Sequence, residues 1–383
     1  MNPIVVVGSG LAGYSVAKEL RKLDREAPLA LVTEDEGELY SKPMLSNAFA
    51  LKKAPGSLAS ATAQQLAGEH GIEILARHAV TRIDRAARTI AVNGRSLPYS
   101  RLVLAVGGRP SRLSLAGSAV DRVLSVNNLA DYQRLRRQLE GRPRVAILGA
   151  GLVGCEFAND LVAAGHAVDV IDIAPRPLPR FWPEPMAREF QARLAAAGVG
   201  WHLAQGVERI DATEDGLSLA LDSGRVLHAD TVLSAVGLSA NTALAGAAGL
   251  PVGRGIVVDR HLQTADEHVY AIGDCAEVEG LLLPFIMPIL HAARALARTL
   301  AGERTAVVYP AMPVMLKTPA CPAVFFPPTT PGGGKWHIER EAEGMRGFYR
   351  AADGALLGAA LSGSCTRERD AVLKQLPALM GPA

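Results

Sequence analysis

Ile4-Val5-Val6-Val7-Gly8-Ser9-Gly10-Leu11-Ala12-Gly13 and, far downstream, Val145-Ala146-Ile147-Leu148-Gly149-Ala150-Gly151-Leu152-Val153-Gly154 are two copies of one signature. Each is a short apolar, β-branched run suited to a buried parallel strand, followed by G-x-G-x-x-G and then a helical pattern. The first glycine permits a tight turn, the second lets the backbone approach a pyrophosphate, and the third lets the helix pack close to the strand. The helix N-terminus then offers the phosphates unpaired N–H groups and about half a positive charge. Two dinucleotides are therefore expected, one on the loop Gly8, Ser9, Gly10, Leu11, Ala12 and Gly13, the other on Gly149, Gly151 and Gly154.

An acidic residue is expected about twenty positions after each triplet, at the end of the second strand, where it can take ribose hydroxyls. Glu34 and Asp35 follow Leu29-Ala30-Leu31-Val32-Thr33, and Asp172 follows Ala167-Val168-Asp169-Val170-Ile171. Asp172 would repel a 2′-phosphate, and Ile173, Ala174 and Pro175 supply no cation, so the second site reads as selective for NADH. Arg176 is the one nearby charge that could admit NADPH.

The chain of 383 residues is long enough for two or three domains with sizeable cores. With 40 Lys and Arg against 38 Asp and Glu it carries a net charge of +2 and no basic run, which argues against nucleic acid as a partner. No apolar stretch reaches the ~18 residues of a membrane span, and Leu281-Leu282-Leu283-Pro284-Phe285-Ile286-Met287-Pro288 is cut by two prolines. The N-terminal apolar run has no basic region before it and is not a signal peptide, so a cytoplasmic protein is expected. Cys155, Cys275, Cys321 and Cys365 form no C-x-x-C or C-x4-C pair. They read as buried thiols, neither a metal site nor a dithiol relay.

Three further strands end in glycine. Leu102-Val103-Leu104-Ala105-Val106-Gly107-Gly108 and Leu233-Ser234-Ala235-Val236-Gly237 look like chain crossings out of a nucleotide domain. Val269-Tyr270-Ala271-Ile272-Gly273-Asp274 places an acid at a strand's carboxyl end, where sugar hydroxyls are bound in such folds. A helix is expected from Ile289 to about Ala301. Beyond Pro310, strands are expected near 314–317, 323–326, 335–339, 345–350 and 356–361, then a proline- and glycine-rich loop at 327–334 and a helix over 366–379.

With these motifs in this order, the chain resembles the two-dinucleotide flavoprotein reductases of glutathione-reductase-like fold, from Ile4 to about Tyr309. The resemblance implies an α/β protein with two Rossmann-like domains and a small C-terminal α/β domain. It implies a discontinuous FAD-binding domain over 1–108 and 240–309, an NAD-binding domain over 109–239, and an interface domain over 310–383. It places FAD on Gly8, Gly10 and Gly13, with Glu34 or Asp35 at its adenosine ribose, Val80 at its adenine, and Asp274 at its ribityl chain. Lys42, Gly107, Ile286 and Lys317 would also line the FAD site, and Glu156 would face the flavin and nicotinamide. Asp172 and Gly237 would join the second glycine triplet around NADH.

Tyr40-Ser41-Lys42-Pro43-Met44-Leu45-Ser46 is similar to the family's Y-x-[KR]-P-x-L-S. Relatives that reduce [2Fe–2S] ferredoxins usually continue with lysine, whereas Asn47 follows here. Met312-Pro313-Val314-Met315-Leu316-Lys317-Thr318-Pro319-Ala320-Cys321-Pro322 resembles the rubredoxin-reducing branch and its flavorubredoxin-reducing relatives, and the total length points the same way. That branch implies non-covalent FAD, hydride transfer from NADH to flavin N5, and single electrons passed to rubredoxin, a small acidic iron protein bound transiently. Such a chain would serve alkane hydroxylation or oxygen and nitric oxide defence. A helix N-terminus after Pro288 and the Lys317 ammonium would favour an anionic reduced flavin. Arg134, Arg136, Arg137, Arg142 and Arg144 could contribute to docking, although a charge run is usually a solvated face. Two other readings stay open: a different acceptor, such as a ferredoxin, a quinone or oxygen, or an NADH- and FAD-binding sensor that does not turn over.

Overall fold

The computed structural model describes residues 2–328 and 332–382. Its helices are α1 (Leu11–Leu23), α2 (Ala63–His70), α3 (Leu129–Leu139), α4 (Leu152–Ala163), α5 (Glu184–Ala196), α6 (Ala243–Ala247), α7 (Ile286–Leu300) and α8 (Arg369–Leu373).

Ile4–Val7 is a strand buried at every position, because both faces of a parallel sheet are covered by helices. It lies inside a five-stranded parallel sheet in the order Val269–Ala271, Arg101–Leu104, Ile4–Val7, Leu29–Val32, Glu73–Leu75. Arg144–Leu148 has the same place in a second parallel sheet, ordered Val199–Leu203, Ala167–Asp172, Arg144–Leu148, Thr231–Ser234. In both sheets the chain leaves its first strand toward one neighbour and later returns to the other. Each glycine triplet therefore sits at the carboxyl end of a strand where the order reverses, the place where such sheets bind ligands. Val269–Ala271 joins the first sheet although it follows the whole of the second in sequence.

The two connections between these sheets pair with one another. Gly108–Pro110 runs antiparallel to Leu238–Ala240, and Asn241 adds bonds to the carbonyls of Gly107 (2.9 Å) and Val106 (2.8 Å). The C-terminal part is a five-stranded antiparallel sheet in the order Val314–Leu316, Ala323–Phe326, Leu356–Gly363, Gly344–Arg350, Lys335–Glu341.

Its core is continuous with that of the second sheet: Val314, Leu316, Ala323 and Phe325 share one apolar cluster with Val145, Ile147, Val170, Trp182 and Phe190. Leu45 and Phe49, from the segment after the first sheet's second strand, belong to this cluster as well. The first sheet has a separate core, with Val5, Leu31, Val103, Ala271 and Leu296 among its members.

Two expectations need correction. Helix α7 begins at Ile286, three residues before the apolar period starts, because Pro288 fits the first turn, where its missing N–H has no partner to lose. The C-terminal helix is much shorter than 366–379: a 3-10 turn over Ser364–Glu368 precedes α8, which ends at Leu373. The remaining tail returns to the first sheet's core, where Met380 is buried and exchanges two 2.9 Å backbone bonds with Tyr309. The expected loop at 327–334 includes Thr329, Thr330 and Pro331, which lie outside the described residues.

Candidate functional site

The first glycine loop is shaped by close backbone approach. Gly8 has φ +113°, and a Cβ there would lie 2.3 Å from the Ala105 carbonyl oxygen; one on Gly13 would lie 1.9 Å from that of Gly8. Gly10 differs, for a Cβ there meets nothing within 4 Å, and it begins α1 with no side-chain cap. Packing explains the outer glycines but not the middle one, which leaves the helix's first N–H groups open. Beside them, Ser9 Oγ donates to Asp35 Oδ1 at 2.8 Å, and the same oxygen accepts from Thr33 Oγ1 (2.6 Å) and Gly37 N (3.0 Å). Asp35 is thereby tied to the loop through one carboxylate oxygen, while Glu34 is an exposed neighbour.

The second loop repeats the pattern. A Cβ on Gly149 (φ +107°) would lie 2.6 Å from the Ala235 carbonyl oxygen and one on Gly154 2.0 Å from that of Gly149, whereas Gly151 opens onto space and begins α4 uncapped. Asp172 accepts from Ala150 N (2.5 Å) and Ala174 N (2.7 Å). Its first role is thus to brace the glycine loop, with its remaining lone pairs beside the cradle. Leu178, buried and at φ +53°, donates its N–H to the Ala150 carbonyl at 3.0 Å, so a backbone conformation unfavourable to leucine buttresses the same loop. Gly237 (φ +111°) and Gly107 (φ +65°) face open space next to the paired connections.

Lys42 is reached by solvent yet walled by protein, and desolvation lowers its ammonium pKa against the pull of Asp274, Asp35 and Asp131. Burial raises the Asp274 carboxyl, and Lys42 opposes that shift. Asp274 follows Gly273 (φ +83°), where a Cβ would lie 2.8 Å from Ala12 Cβ and 3.9 Å from Ile289. The Gly-Asp turn therefore seats between the start of α1 and the first turns of α7, whose first residue is the exposed Ile286. Lys42, Asp35 and Asp274 come together here, and Val80 opens the neighbouring strand Val80–Asp84.

Glu156 meets the same Lys42–Asn47 turn through Ser46. It is 6% exposed, accepts from Ser46 Oγ at 2.5 Å and from Lys317 N at 3.0 Å, and pairs with Lys317 Nζ at 3.0 Å. Lys317 Nζ also donates to the Pro43 carbonyl, and Asn47 Nδ2 donates to the Lys317 carbonyl at 2.9 Å. Helix α4, the Lys42–Asn47 turn and the end of strand Val314–Leu316 thus meet at one ion pair. Asn159 and Asp160 are not singled out by the sequence, and Ser46 and Asn47 enter it only through the Y-x-[KR]-P-x-L-S match and its departure, not as partners of Glu156 and Lys317. A signal was present: Glu156, Asn159 and Asp160 interrupt an otherwise apolar helix, and α4 is buried from Gly154 to Leu161.

All four cysteines are free and buried, and burial pushes the Cys275 and Cys321 thiols up to about 11, which suits inert thiols. No cluster of metal-ligating side chains and no helix long and apolar enough to cross a membrane occurs among the described residues. The arginine run is largely engaged in structure. Arg134 pairs with Asp131, Arg144 with Asp230, and Arg136 stacks on the Phe49 ring, 4.8 Å from its centroid.

Residues 2–297 match the pyridine nucleotide-disulphide oxidoreductase family, and residues 306–376 match a rubredoxin binding C-terminal domain. The chain is 43% identical to the rubredoxin-NAD(+) reductase of Alcanivorax borkumensis, over 99% of this chain and all of that one. It is 46% identical to the enzyme of the same name from Acinetobacter baylyi, over 90% of each chain. Among solved structures, a ferredoxin reductase from Rhodopseudomonas palustris superposes with a TM-score of 0.89 at 27% identity, covering 99% of this chain and 96% of that one. Two open glycine cradles at sheet reversals and this full-length similarity lead to one assignment: the chain belongs to the pyridine nucleotide-disulphide oxidoreductase family.

Proposed function

We infer that the chain is an FAD-dependent NADH:rubredoxin oxidoreductase. The observation that carries this reading is the joint at Lys317. There the domain that matches a rubredoxin-binding domain touches Pro43 and Ser46 of the flavin-facing segment and Glu156 of the helix that begins at the second cradle.

FAD fits the first cradle. Gly10 leaves room for a diphosphate at the start of α1, Asp35 retains one carboxylate oxygen for a ribose, and Lys42 and Asp274 stand beyond. Gly8, Gly13, Gly107, Val80, Ile286, Glu156 and Lys317 complete the proposed FAD surroundings. NADH would lie on Gly149, Gly151 and Gly154, with Asp172 beside its adenosine ribose and Gly237 at the connection. When bound, FAD supplies the conversion of a hydride into two single electrons.

The chain's own contribution is placement and charge. Helices α1 and α4 present their N-termini to the two diphosphates, so that orientation supplies the rate. Glu156 and Lys317 hold three parts of the chain together, and no nucleophile or dithiol takes part. We divide the chain for this purpose into an FAD part (1–108, 240–309), an NAD part (109–239) and an acceptor part (310–383). Four unpaired thiols suit a reducing compartment, and we place the protein in the cytoplasm.

The test is anaerobic bleaching of oxidised rubredoxin by NADH, with a [2Fe–2S] ferredoxin at equal concentration in parallel. Fast bleaching of rubredoxin with NADH well ahead of NADPH is expected. Flavin reduction with rubredoxin left coloured would overturn the acceptor.

A further inference from the structure

We propose that Asp160 is a positioning residue for electron exit: its carboxylate clamps the Lys42–Ala50 segment to α4 and so sets Pro43 and Ser46 against Lys317. The inference rests on the function proposed above.

Asp160 is 2% exposed and lies one helical turn beyond Glu156, on the same side of α4. Its two oxygens accept from two successive main-chain donors of a segment far away in sequence, Phe49 N (2.9 Å, Oδ2) and Ala50 N (2.9 Å, Oδ1). Burying a carboxylate is costly unless its hydrogen bonds are satisfied, and desolvation does raise this carboxyl's pKa, opposed by the two N–H donors, Lys317 and Arg136. An alanine or leucine, as at Ala158 and Leu161 beside it, would have filled the site without that cost. What the carboxylate adds is directional restraint.

Apolar packing seats the restrained segment, with Leu45, Ala48 and Phe49 in the core shared with the second sheet, but packing of that kind carries no direction. Lys42–Asn47 is a 3-10 turn outside any sheet, and its local bonds, such as Met44 N to Ser41 O, are short-range. Polar contacts orient it at two ends: Glu156, Ser46 and Lys317, with Asn47 on the Lys317 carbonyl, at one, and Asp160 with Arg136 on Phe49 at the other. Asp160 lies at the end away from Lys42 and Pro43, so it acts through the backbone of the segment and not by contact with a cofactor.

The test compares wild type with Asp160→Asn, loaded with FAD, in three assays: anaerobic flavin reduction by NADH, turnover with ferricyanide, and turnover with rubredoxin. The amide can accept at only one oxygen and turns an NH2 toward the second donor. Flavin reduction and ferricyanide turnover are expected within about twofold of wild type, while kcat/KM for rubredoxin falls about tenfold, the scale on which slight misplacement acts. Equal loss with ferricyanide and rubredoxin, or no loss with either, overturns the proposal. If Asp160→Asn does not yield a folded holoenzyme, Arg136→Gln loosens the same anchor from its outer side. A selective loss with rubredoxin, with the salt dependence of wild type, then supports the clamp, and unchanged kinetics or a weakened salt dependence overturns it. Wild type that reduces its flavin with NADH yet leaves rubredoxin oxidised would instead remove the function on which the inference rests.

Discussion

At the scale of single residues, the two glycine triplets separate packing from binding. Gly154 has no room for a Cβ, whereas Gly151 has nothing but space before it. Gly154→Ala is therefore expected to prevent stable folding of the NAD part. Gly151→Ala should keep the wild-type melting temperature within a few degrees but raise KM for NADH about tenfold or more by blocking close approach to the diphosphate. Thermal melts and NADH titrations read the two effects apart. Asp172 holds both the loop, through Ala150 and Ala174, and by proposal the ribose. Asp172→Asn is expected to raise KM for NADH and to narrow the NADH-to-NADPH preference; an unchanged ratio of kcat/KM for the two nucleotides would remove Asp172 as the discriminating group. Sequence spacing singles out Asp172, and the family resemblance singles out Glu156, but neither gives their partners. Ala150 lies 22 positions from Asp172, and Ser46 lies 110 from Glu156, a separation across which no periodicity carries information.

Among the elements, α4 stands out because it serves three parts of the chain at once. Its N-terminus opens the second cradle, Glu156 reaches Ser46 and Lys317, Asn159 accepts from Ala320 N at 3.1 Å, and Asp160 holds Phe49 and Ala50. The acceptor sheet rests on the NAD part through aromatic packing. Phe325 lies 5.3 Å from the Phe181 ring and 5.1 Å from that of Trp182, and Arg340 pairs with Glu189 of α5 at 3.0 Å. Phe325 is 1% exposed, so Phe325→Ala is expected to cost about 3–5 kcal/mol, read by urea unfolding, and to raise KM for rubredoxin by loosening the domain's seat. A second element-level expectation concerns acid. The Arg144 guanidinium, through its hydrogen bonds to Asp230, lowers the Asp230 carboxyl pKa below its ordinary 3.8 and joins strand Arg144–Leu148 to the end of strand Val226–Ala229. A lowered folded pKa means stability present above pH 3.8 and lost as pH falls through the folded value. Wild type should therefore lose more stability than Arg144→Gln between pH 6 and pH 3, measured as the shift of the urea midpoint; parallel curves would show that the pair contributes nothing.

For the whole molecule, two narrow necks join parts that sequence order would separate: Gly108–Pro110 against Leu238–Ala240, and Tyr309 against Met380. Strands Val314–Leu316 and Ala323–Phe326 share a core with the second parallel sheet, and the Lys42–Asn47 turn is pinned to Glu156 of α4 and to Lys317. Lys317 is paired with Glu156, and Lys42 faces Asp274, Asp35 and Asp131, so a salt effect on docking would report on charges outside this joint. Turnover with an acidic iron protein should slow as ionic strength rises, through KM more than kcat, while ferricyanide turnover at saturation changes little; a salt-independent KM for rubredoxin would argue against charge at the docking face. Sequence alone determined the two glycine turns and the parallel strands beneath them, because glycine requirements and β-branched apolar runs are local and act within about ten residues. It also placed all five C-terminal strands within two residues at each end, since antiparallel strands separated by turns carry their own punctuation. Only the tertiary structure decided that α7 starts at Ile286, that the last helix ends at Leu373 and lets Met380 return to the first core, and that Lys317 closes on Glu156 and Pro43. The return of Met380 and the closure of Lys317 depend on burial and on hydrogen bonds between residues far apart in sequence, from Tyr309 with Met380 to Pro43 with Lys317, whose energy exists only once these segments have packed together.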